Sequence, residues 1–116
     1  MNVAQPLSYG SVLGSRELRE AISSLYNTEK TNPVTWEDVV ITTGTILANF
    51  LVLDTLCGPG DHVICQYPTY QQLFDIPRRA GAEVSLWKTS ESNGWLPDIG
   101  ELQHLVKDNT KLLIIK

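Results

Sequence analysis

Cysteine, histidine and methionine are scarce in this sequence, whose 116 residues include two cysteines, two histidines and one methionine. Cys57 and Cys65 lack the CxxC spacing of a metal or redox site, so we expect two reduced thiols in the core. His62 follows a turn and His104 falls on the polar face of an expected helix, so neither has an evident catalytic partner. The sequence therefore predicts no metal site and no histidine-based catalytic centre.

A positive net charge and a long hydrophobic run are also absent. The formal net charge is −4, and the nine Lys and Arg residues are scattered, which argues against a nucleic-acid partner. The longest apolar stretch, residues 46–57, is interrupted by Asn49 and Asp54 and is shorter than the roughly 20 residues of a membrane-spanning helix. The N-terminal residues do not resemble a signal peptide. We therefore expect a cytoplasmic protein that contacts neither nucleic acid nor membrane.

What the sequence does contain is the composition of one globular domain, with 42% hydrophobic and 19% charged residues. Turn signals separate helix-like from strand-like segments at regular intervals, which predicts a single α/β domain over residues 1–116. Helices are expected at about 15–26, 45–56, 69–81 and 98–109. The first helix is amphipathic, whereas the second is apolar on nearly every side and should be buried.

Four short apolar segments, at about 39–42, 62–65, 83–87 and 112–115, are expected to form strands. Thr35 and Asp38 predict a capped turn before the first of them. Strands that alternate with helices predict a partial doubly wound sheet of mostly parallel strands flanked by helices, and their continuous apolar character predicts burial on both faces. In such sheets ligands bind beyond the carboxyl ends of the strands.

Two motifs fall at that edge of the expected sheet. Thr43-Gly44-Thr45 lies between a strand and a helix, where free backbone N–H groups and a glycine can receive an anion such as a phosphate. The same residues also suit a plain helix cap. Gln66-Tyr67-Pro68-Thr69-Tyr70 follows the next strand, and a tyrosine there can stack on a planar ligand or pack against the helix that follows. Each motif alone leaves both interpretations open.

Taken together and in order, the motifs of this chain resemble those of the class I/II aminotransferases, which depend on pyridoxal 5′-phosphate. The resemblance extends over nearly the whole chain and predicts an incomplete large domain of fold type I. It rests on Tyr9 with Gly14, Leu18-Arg19, Ile41-Thr42-Thr43-Gly44-Thr45, Gly58-Pro59-Gly60-Asp61, Tyr67-Pro68-Thr69-Tyr70 and residues 109–115.

The resemblance implies a role for five residues in binding the cofactor. The backbone of Gly44, Thr45 and Ile46 would hold the phosphate, and the Thr45 hydroxyl would be a further donor. Tyr70 matches the aromatic residue that stacks on the pyridine ring. Tyr9 matches a residue that reaches the phosphate of the neighbouring subunit, so the resemblance also implies a homodimer.

The family's catalytic residues have no match in this chain. The Schiff-base lysine, the acid that pairs with the pyridinium nitrogen, the asparagine on the ring oxygen and the arginine that binds the substrate carboxylate all match positions beyond Lys116. The five lysines present are interpreted as surface charges, and the chain alone is expected to be inactive: Lys30, Lys88, Lys107, Lys111 and Lys116.

The expected activity of the parent protein is the transfer of an amino group between an amino acid and a 2-keto acid. Two alternatives stay open at this point. Lyases, decarboxylases and ring-forming synthases share this fold and these motifs, because a fold alone does not determine the reaction. A non-catalytic α/β interaction module would use the Gly44 turn only as a helix cap.

Overall fold

A computed structural model describes residues 9–27 and 33–116 of the chain, which divides into two compact units, Met1–Thr43 and Gly44–Lys116. The described part of the first unit contains one α-helix, and the second unit contains three α-helices and three strands. Their bounds are α1 Arg16–Tyr26, α2 Thr45–Leu56, β1 His62–Tyr67, α3 Gln72–Arg79, β2 Glu83–Lys88, α4 Ile99–Leu105 and β3 Thr110–Ile114. Short 3₁₀ turns lie at Trp36–Asp38 and Glu91–Asn93.

The first helix, α1, confirms the helix expected near residues 15–26, and it begins after Ser15, whose hydroxyl accepts from the N–H of Leu18 at 3.3 Å. Its buried residues are polar rather than apolar, namely Arg19 and Ser23. Arg19 donates from Nε to the carbonyl oxygen of Val39 at 2.6 Å and its guanidinium lies 4.9 Å from the centroid of the Trp36 ring. A charged side chain that is hydrogen-bonded and stacked in this way can be buried at low cost.

The strand expected at 39–42 is absent from the described residues, and that prediction is wrong. This segment is irregular backbone, tied to the rest of its unit by the Ile41 N–H, which donates to Leu13 O at 3.0 Å. β-Branched residues favour a strand only where a neighbouring strand supplies hydrogen bonds, and the described part of the first unit contains none. The capped turn before it is confirmed, because Asp38 accepts from the Thr35 N–H at 2.8 Å.

The other three expected strands are confirmed and form one parallel sheet in the order β2-β1-β3. The central strand β1 is buried from His62 to Cys65. β2 and β3 are only partly buried, and β3 alternates between half-buried and exposed residues. The expectation of burial on both faces therefore holds for β1 alone, because each outer strand has a neighbour on one side only in the described sheet.

The helices of the second unit also match the expected order. α3 begins at Gln72, three residues later than Thr69, and α4 is capped by Asp98, whose carboxylate accepts from the N–H of Gly100 at 2.7 Å. The prediction that α2 is buried is wrong, because Leu53 is its one buried residue. The described residues of the second unit cover only one side of α2, and its other large apolar side chains are exposed: Ile46, Leu47, Phe50, Leu51, Val52 and Leu56.

The core of the second unit includes a histidine and two free cysteines. His62 is fully buried, and its ring nitrogens are each 2.8 Å from a hydroxyl, Nδ1 from Thr110 Oγ1 and Nε2 from Ser85 Oγ. Burial lowers the pKa of His62 and raises that of Cys65 to about 11. The two reduced thiols, Cys57 and Cys65, are confirmed, and these groups have a structural role.

No group of three or more His, Cys, Asp or Glu side chains in the described ranges is placed to hold a metal ion. No helix in the described part of the chain is both long enough and apolar enough to cross a membrane.

Candidate functional site

The candidate site lies at one edge of the three-stranded sheet. Because the strands are parallel, Tyr67, Lys88 and Ile114 end β1, β2 and β3 at the same edge. α2 contains twelve residues and is therefore about 18 Å long, close to the length of β1, which is about 20 Å. Only residues 57–61 connect the two elements, so α2 runs back along the strand. Its N-terminus lies toward the carboxyl edge of the sheet.

Side chains along α2 lie close to β3. Side chains from both halves of the helix, including Ala48 and Leu56, line one cavity of about 300 Å³ with Leu112 and Ile114 of β3. The helix therefore lies lengthwise on the sheet rather than across it. At its other end, the turn before β1 is held by Asp61, which accepts from the Gly58 N–H at 2.9 Å.

The N-terminus of α2 has the features of an anion site. Gly44 has φ +90° and ψ 166°, a conformation that glycine adopts without strain. A Cβ placed on Gly44 would meet nothing within 4 Å, so the space beside it is open. The backbone N–H groups of Thr45 and Ile46 have no hydrogen-bond partner among the described residues, and the positive end of the helix dipole adds to their attraction for an anion.

Tyr70 lies beyond the end of β1 and just before α3, with 61% of its surface exposed. Its carbonyl oxygen accepts from the N–H of Leu73 at 3.0 Å, which ties the residue to the first turn of α3. The rings of Tyr67 and Phe74 meet edge to face at a centroid distance of 6.0 Å, and this contact joins the end of β1 to α3. The segment that carries Tyr70 is therefore held at both ends.

Two polar atoms beside Tyr70 have no partner in the described part of the chain. Thr69 Oγ1 and Gln72 Oε1 are both buried, yet neither is within hydrogen-bond distance of a protein group. Unpaired buried polar atoms are uncommon in folded proteins and often occur at functional sites. The Tyr70 segment therefore offers unpaired polar atoms, as the N-terminus of α2 does.

Of the five expected binding residues, Gly44, Thr45 and Ile46 lie at the N-terminus of α2, and Tyr70 lies between β1 and α3. Tyr9 belongs to the first unit, where it is fully exposed, and its role stays a prediction. Asp61 lies in the turn before β1, where its carboxylate accepts from the Gly58 N–H. Hydrogen bonding to the Lys111 ammonium lowers its carboxyl pKa.

Sequence reasoning missed one contact at this edge. The ammonium nitrogen of Lys116 lies 3.4 Å from the centroid of the Tyr70 ring, and the Lys116 N–H donates to Gln66 Oε1 at 3.1 Å. The interpretation of Lys116 as a surface charge is therefore incomplete. The signal was present in the sequence, because Gln66 and Lys116 each fall at the end of an expected strand of a parallel sheet.

Comparison with known proteins identifies the family to which this site belongs. Residues 5–116 match the family model for aminotransferase class I and II. The chain belongs to this family. A PLP-dependent aminotransferase from Streptococcus suis shares 47% identity with it at a TM-score of 0.82, over 94% of this chain and 28% of that one. The fold type I architecture expected from the sequence is thereby confirmed.

Two curated relatives extend the comparison. The aspartate/prephenate aminotransferase of Thermus thermophilus is 30% identical over 92% of this chain and 28% of its own length. The capreomycidine synthase of Streptomyces vinaceus is 30% identical over 91% of this chain and 26% of its own length. The chain therefore spans about a quarter of the length of the proteins that it matches.

Proposed function

We propose that the protein containing this chain is an aminotransferase that moves an amino group between an amino acid and a 2-keto acid, with pyridoxal 5′-phosphate as cofactor. In this proposal residues 1–116 are part of its large, cofactor-binding domain. The main support is the N-terminus of α2, where Gly44 leaves open space and the N–H groups of Thr45 and Ile46 have no partner among the described residues. Family membership adds the cofactor that such a site would hold.

The residues at the sheet edge fit a phosphorylated, planar cofactor. The N–H groups of Thr45 and Ile46 would bind the phosphate together with the Gly44 backbone, and the Thr45 hydroxyl would donate a further hydrogen bond. An alanine at Gly44 would have room but would be strained, because φ +90° lies in the left-handed region. Tyr70 would lie against the cofactor ring, where it orients the ring and excludes water from one face.

When bound, the cofactor supplies an electron sink for bonds at the amino acid's α-carbon. The part of the site in this chain binds and orients, and it contains no group that we assign to proton transfer. We propose that the lysine that holds the cofactor covalently is not one of this chain's five lysines. Turnover therefore requires residues of the full-length protein other than those described.

Two further proposals concern assembly and location. Tyr9 would contribute to the phosphate site of a second subunit in a homodimer, as the family resemblance implies. Its full exposure in the first unit is compatible with a contact to another chain. We also propose a cytoplasmic location for the full-length protein.

A second candidate is a ring-forming synthase that uses the same cofactor. Its specific support is the capreomycidine synthase relative, which is as similar to this chain as the aspartate/prephenate aminotransferase is. The cofactor-binding residues proposed above do not by themselves determine the reaction. Both candidates therefore predict the same site in this chain.

The two candidates differ in their products. The full-length protein should be incubated with pyridoxal 5′-phosphate, individual amino acids and 2-oxoglutarate, and the products separated by mass. An aminotransferase forms glutamate and the keto acid of the donor in equal amounts. A synthase forms a cyclised product without glutamate, and that result would replace our first candidate with the second.

A further inference from the structure

Lys116 is held at the sheet edge by two contacts. Its ammonium nitrogen lies 3.4 Å from the centroid of the Tyr70 ring, a distance at which a cation is attracted to the electron-rich face of an aromatic ring. Its backbone N–H donates to Gln66 Oε1 at 3.1 Å. Side chain and backbone are thus both fixed, by two different residues that follow the buried part of β1.

The register of the sheet explains why these residues meet. Cys65 of β1 is aligned with Ile114 of β3 in parallel, so Gln66 and Lys116 continue in the same direction beyond the last aligned pair. The Gln66 side chain extends the connection between these strands past their backbone hydrogen bonds. Lys116 and Tyr70 therefore each follow one of two neighbouring parallel strands at the same edge of the sheet.

One face of the Tyr70 ring is covered by this arrangement. An aromatic ring has two faces, and a planar ligand needs a free face in order to stack. Lys116 lies over one face, while the side chain as a whole keeps 61% of its surface exposed. A ligand that leaves this contact in place would stack on the opposite face.

We propose that Lys116 is a positioning residue that covers one face of Tyr70 and presents the other face to the ring of the cofactor. The hydrogen bond from the Lys116 N–H to the Gln66 side chain keeps Lys116 beside the ring. The inference rests on the function proposed above and adds two residues to the site. Neither residue touches the cofactor; both act through Tyr70.

Lys88 provides a matched control. It ends β2 at the same sheet edge and is exposed. The cation–ring contacts of the described residues involve Arg16, Arg19, Arg78 and Lys116, so a Lys88→Gln variant removes one charge from this edge without removing a ring contact.

The first test measures the contact itself, without ligand. In the full-length polypeptide with ¹³C-labelled lysine, the ε-methylene resonance of Lys116 should be shifted upfield by the ring current of Tyr70. The shift should disappear in Tyr70→Leu and persist in Tyr70→Phe. A Lys116 resonance at the position typical of exposed lysines, unchanged by Tyr70→Leu, would overturn the proposal.

The second test measures ligand binding by calorimetry. Pyridoxamine 5′-phosphate is suitable because it has an amine in place of the aldehyde and forms no covalent bond with a lysine. Lys116→Gln should raise its Kd by about two- to fivefold and change the circular dichroism of the bound ligand. Lys116→Arg should restore both values, because a guanidinium makes the same contact, and Lys88→Gln should change neither.

The outcomes separate two kinds of failure. If the unsubstituted protein binds the ligand and Lys116→Gln matches it in Kd and in circular dichroism, the positioning role is wrong and the proposed function stands. Equal effects of Lys116→Gln and Lys88→Gln would likewise contradict the role, since only net charge would matter. If the unsubstituted protein does not bind the ligand, the proposed function fails and the role of Lys116 fails with it.

Discussion

At the scale of single residues, the site depends on backbone donors that the sequence marks only indirectly. Gly44 can be predicted from the sequence, because a glycine between an expected strand and an expected helix indicates a helix start. Whether the N–H groups of Thr45 and Ile46 have partners depends on the tertiary structure. The contact between Lys116 and Tyr70 was not predicted, because a lysine at a strand end is most often a solvated charge.

Thr45→Ala tests the side-chain contribution to the phosphate site. We expect the Kd of pyridoxamine 5′-phosphate in the full-length protein to rise about fivefold, which corresponds to about 1 kcal/mol for one lost hydrogen bond. Thr55→Ala is the control, because Thr55 is also an exposed threonine of α2, near the other end of the helix. An effect of similar size at Thr55 would show that the loss comes from the helix and not from the site.

Tyr70→Ala tests the stacking contribution. Stacked aromatic pairs contribute about 0.5–1.5 kcal/mol beyond burial, so the same Kd should rise by about two- to tenfold, whereas Tyr70→Phe should retain most of the affinity. Tyr26→Ala provides a comparison, since Tyr26 is exposed to a similar degree, 71% against 61%. Unchanged binding in Tyr70→Ala would remove the tyrosine from the proposed site.

At the scale of elements, the sequence predicts the positions of the helices and of the parallel strands better than it predicts which of them are buried. Capping residues such as Ser15 and Asp98 determine helix starts locally, so the sequence alone indicates them. Burial depends on which elements lie beside a segment, and a single sequence does not contain that information. This is why two predictions were wrong: the burial of α2 and the strand at 39–42.

His62 links the three strands and predicts a pH dependence of stability. Burial lowers its pKa below the ordinary value of 6.5, as does the nearby Lys107 ammonium, while Glu83 raises it. Below about pH 6.5 the unfolded chain therefore binds a proton that the folded chain does not, and the free energy of unfolding should fall as pH decreases toward 5. Above pH 7.5 both states are neutral and this contribution is constant.

Urea unfolding of the full-length protein at pH 5.5 and pH 7.5 measures the effect. His62→Gln should reduce the difference in unfolding free energy between the two pH values, whereas His104→Gln, at an exposed position of α4, should leave it unchanged. Asp61 and Glu83 have lowered carboxyl pKa values. The stability that their charged carboxylates contribute is therefore lost only at a pH more acidic than the range compared in this experiment. If the difference in unfolding free energy between the two pH values is as large in His62→Gln as in the unsubstituted protein, other groups cause the pH dependence.

At the scale of the whole molecule, the described residues leave an extensive apolar surface. α2 contributes to it in the second unit through side chains such as Phe50, Val52 and Leu56, each exposed by 43–53%. Exposed apolar surface of this extent is typical of a surface that another element or another chain covers. This observation agrees with the finding that the chain spans about a quarter of the length of its relatives.

A polypeptide of these 116 residues alone should therefore self-associate. Light scattering over a range of concentrations should show species larger than a monomer. Val52→Glu combined with Leu56→Glu should reduce the association, because both substitutions place charge on the apolar side of α2, and Thr55→Glu on the same helix should reduce it less. Monomeric behaviour of the unsubstituted polypeptide at high concentration would contradict this account of the surface.

The central claim is that the N-terminus of α2 and Tyr70 form one binding site for a phosphorylated planar cofactor. Amide resonances of the full-length ¹⁵N-labelled protein, recorded during titration with pyridoxamine 5′-phosphate, test it most directly. The account predicts the largest shifts at Gly44, Thr45, Ile46 and Tyr70, and none at Gly60 in the turn at the opposite edge of the sheet. Saturable binding that shifts none of those four amides would contradict it.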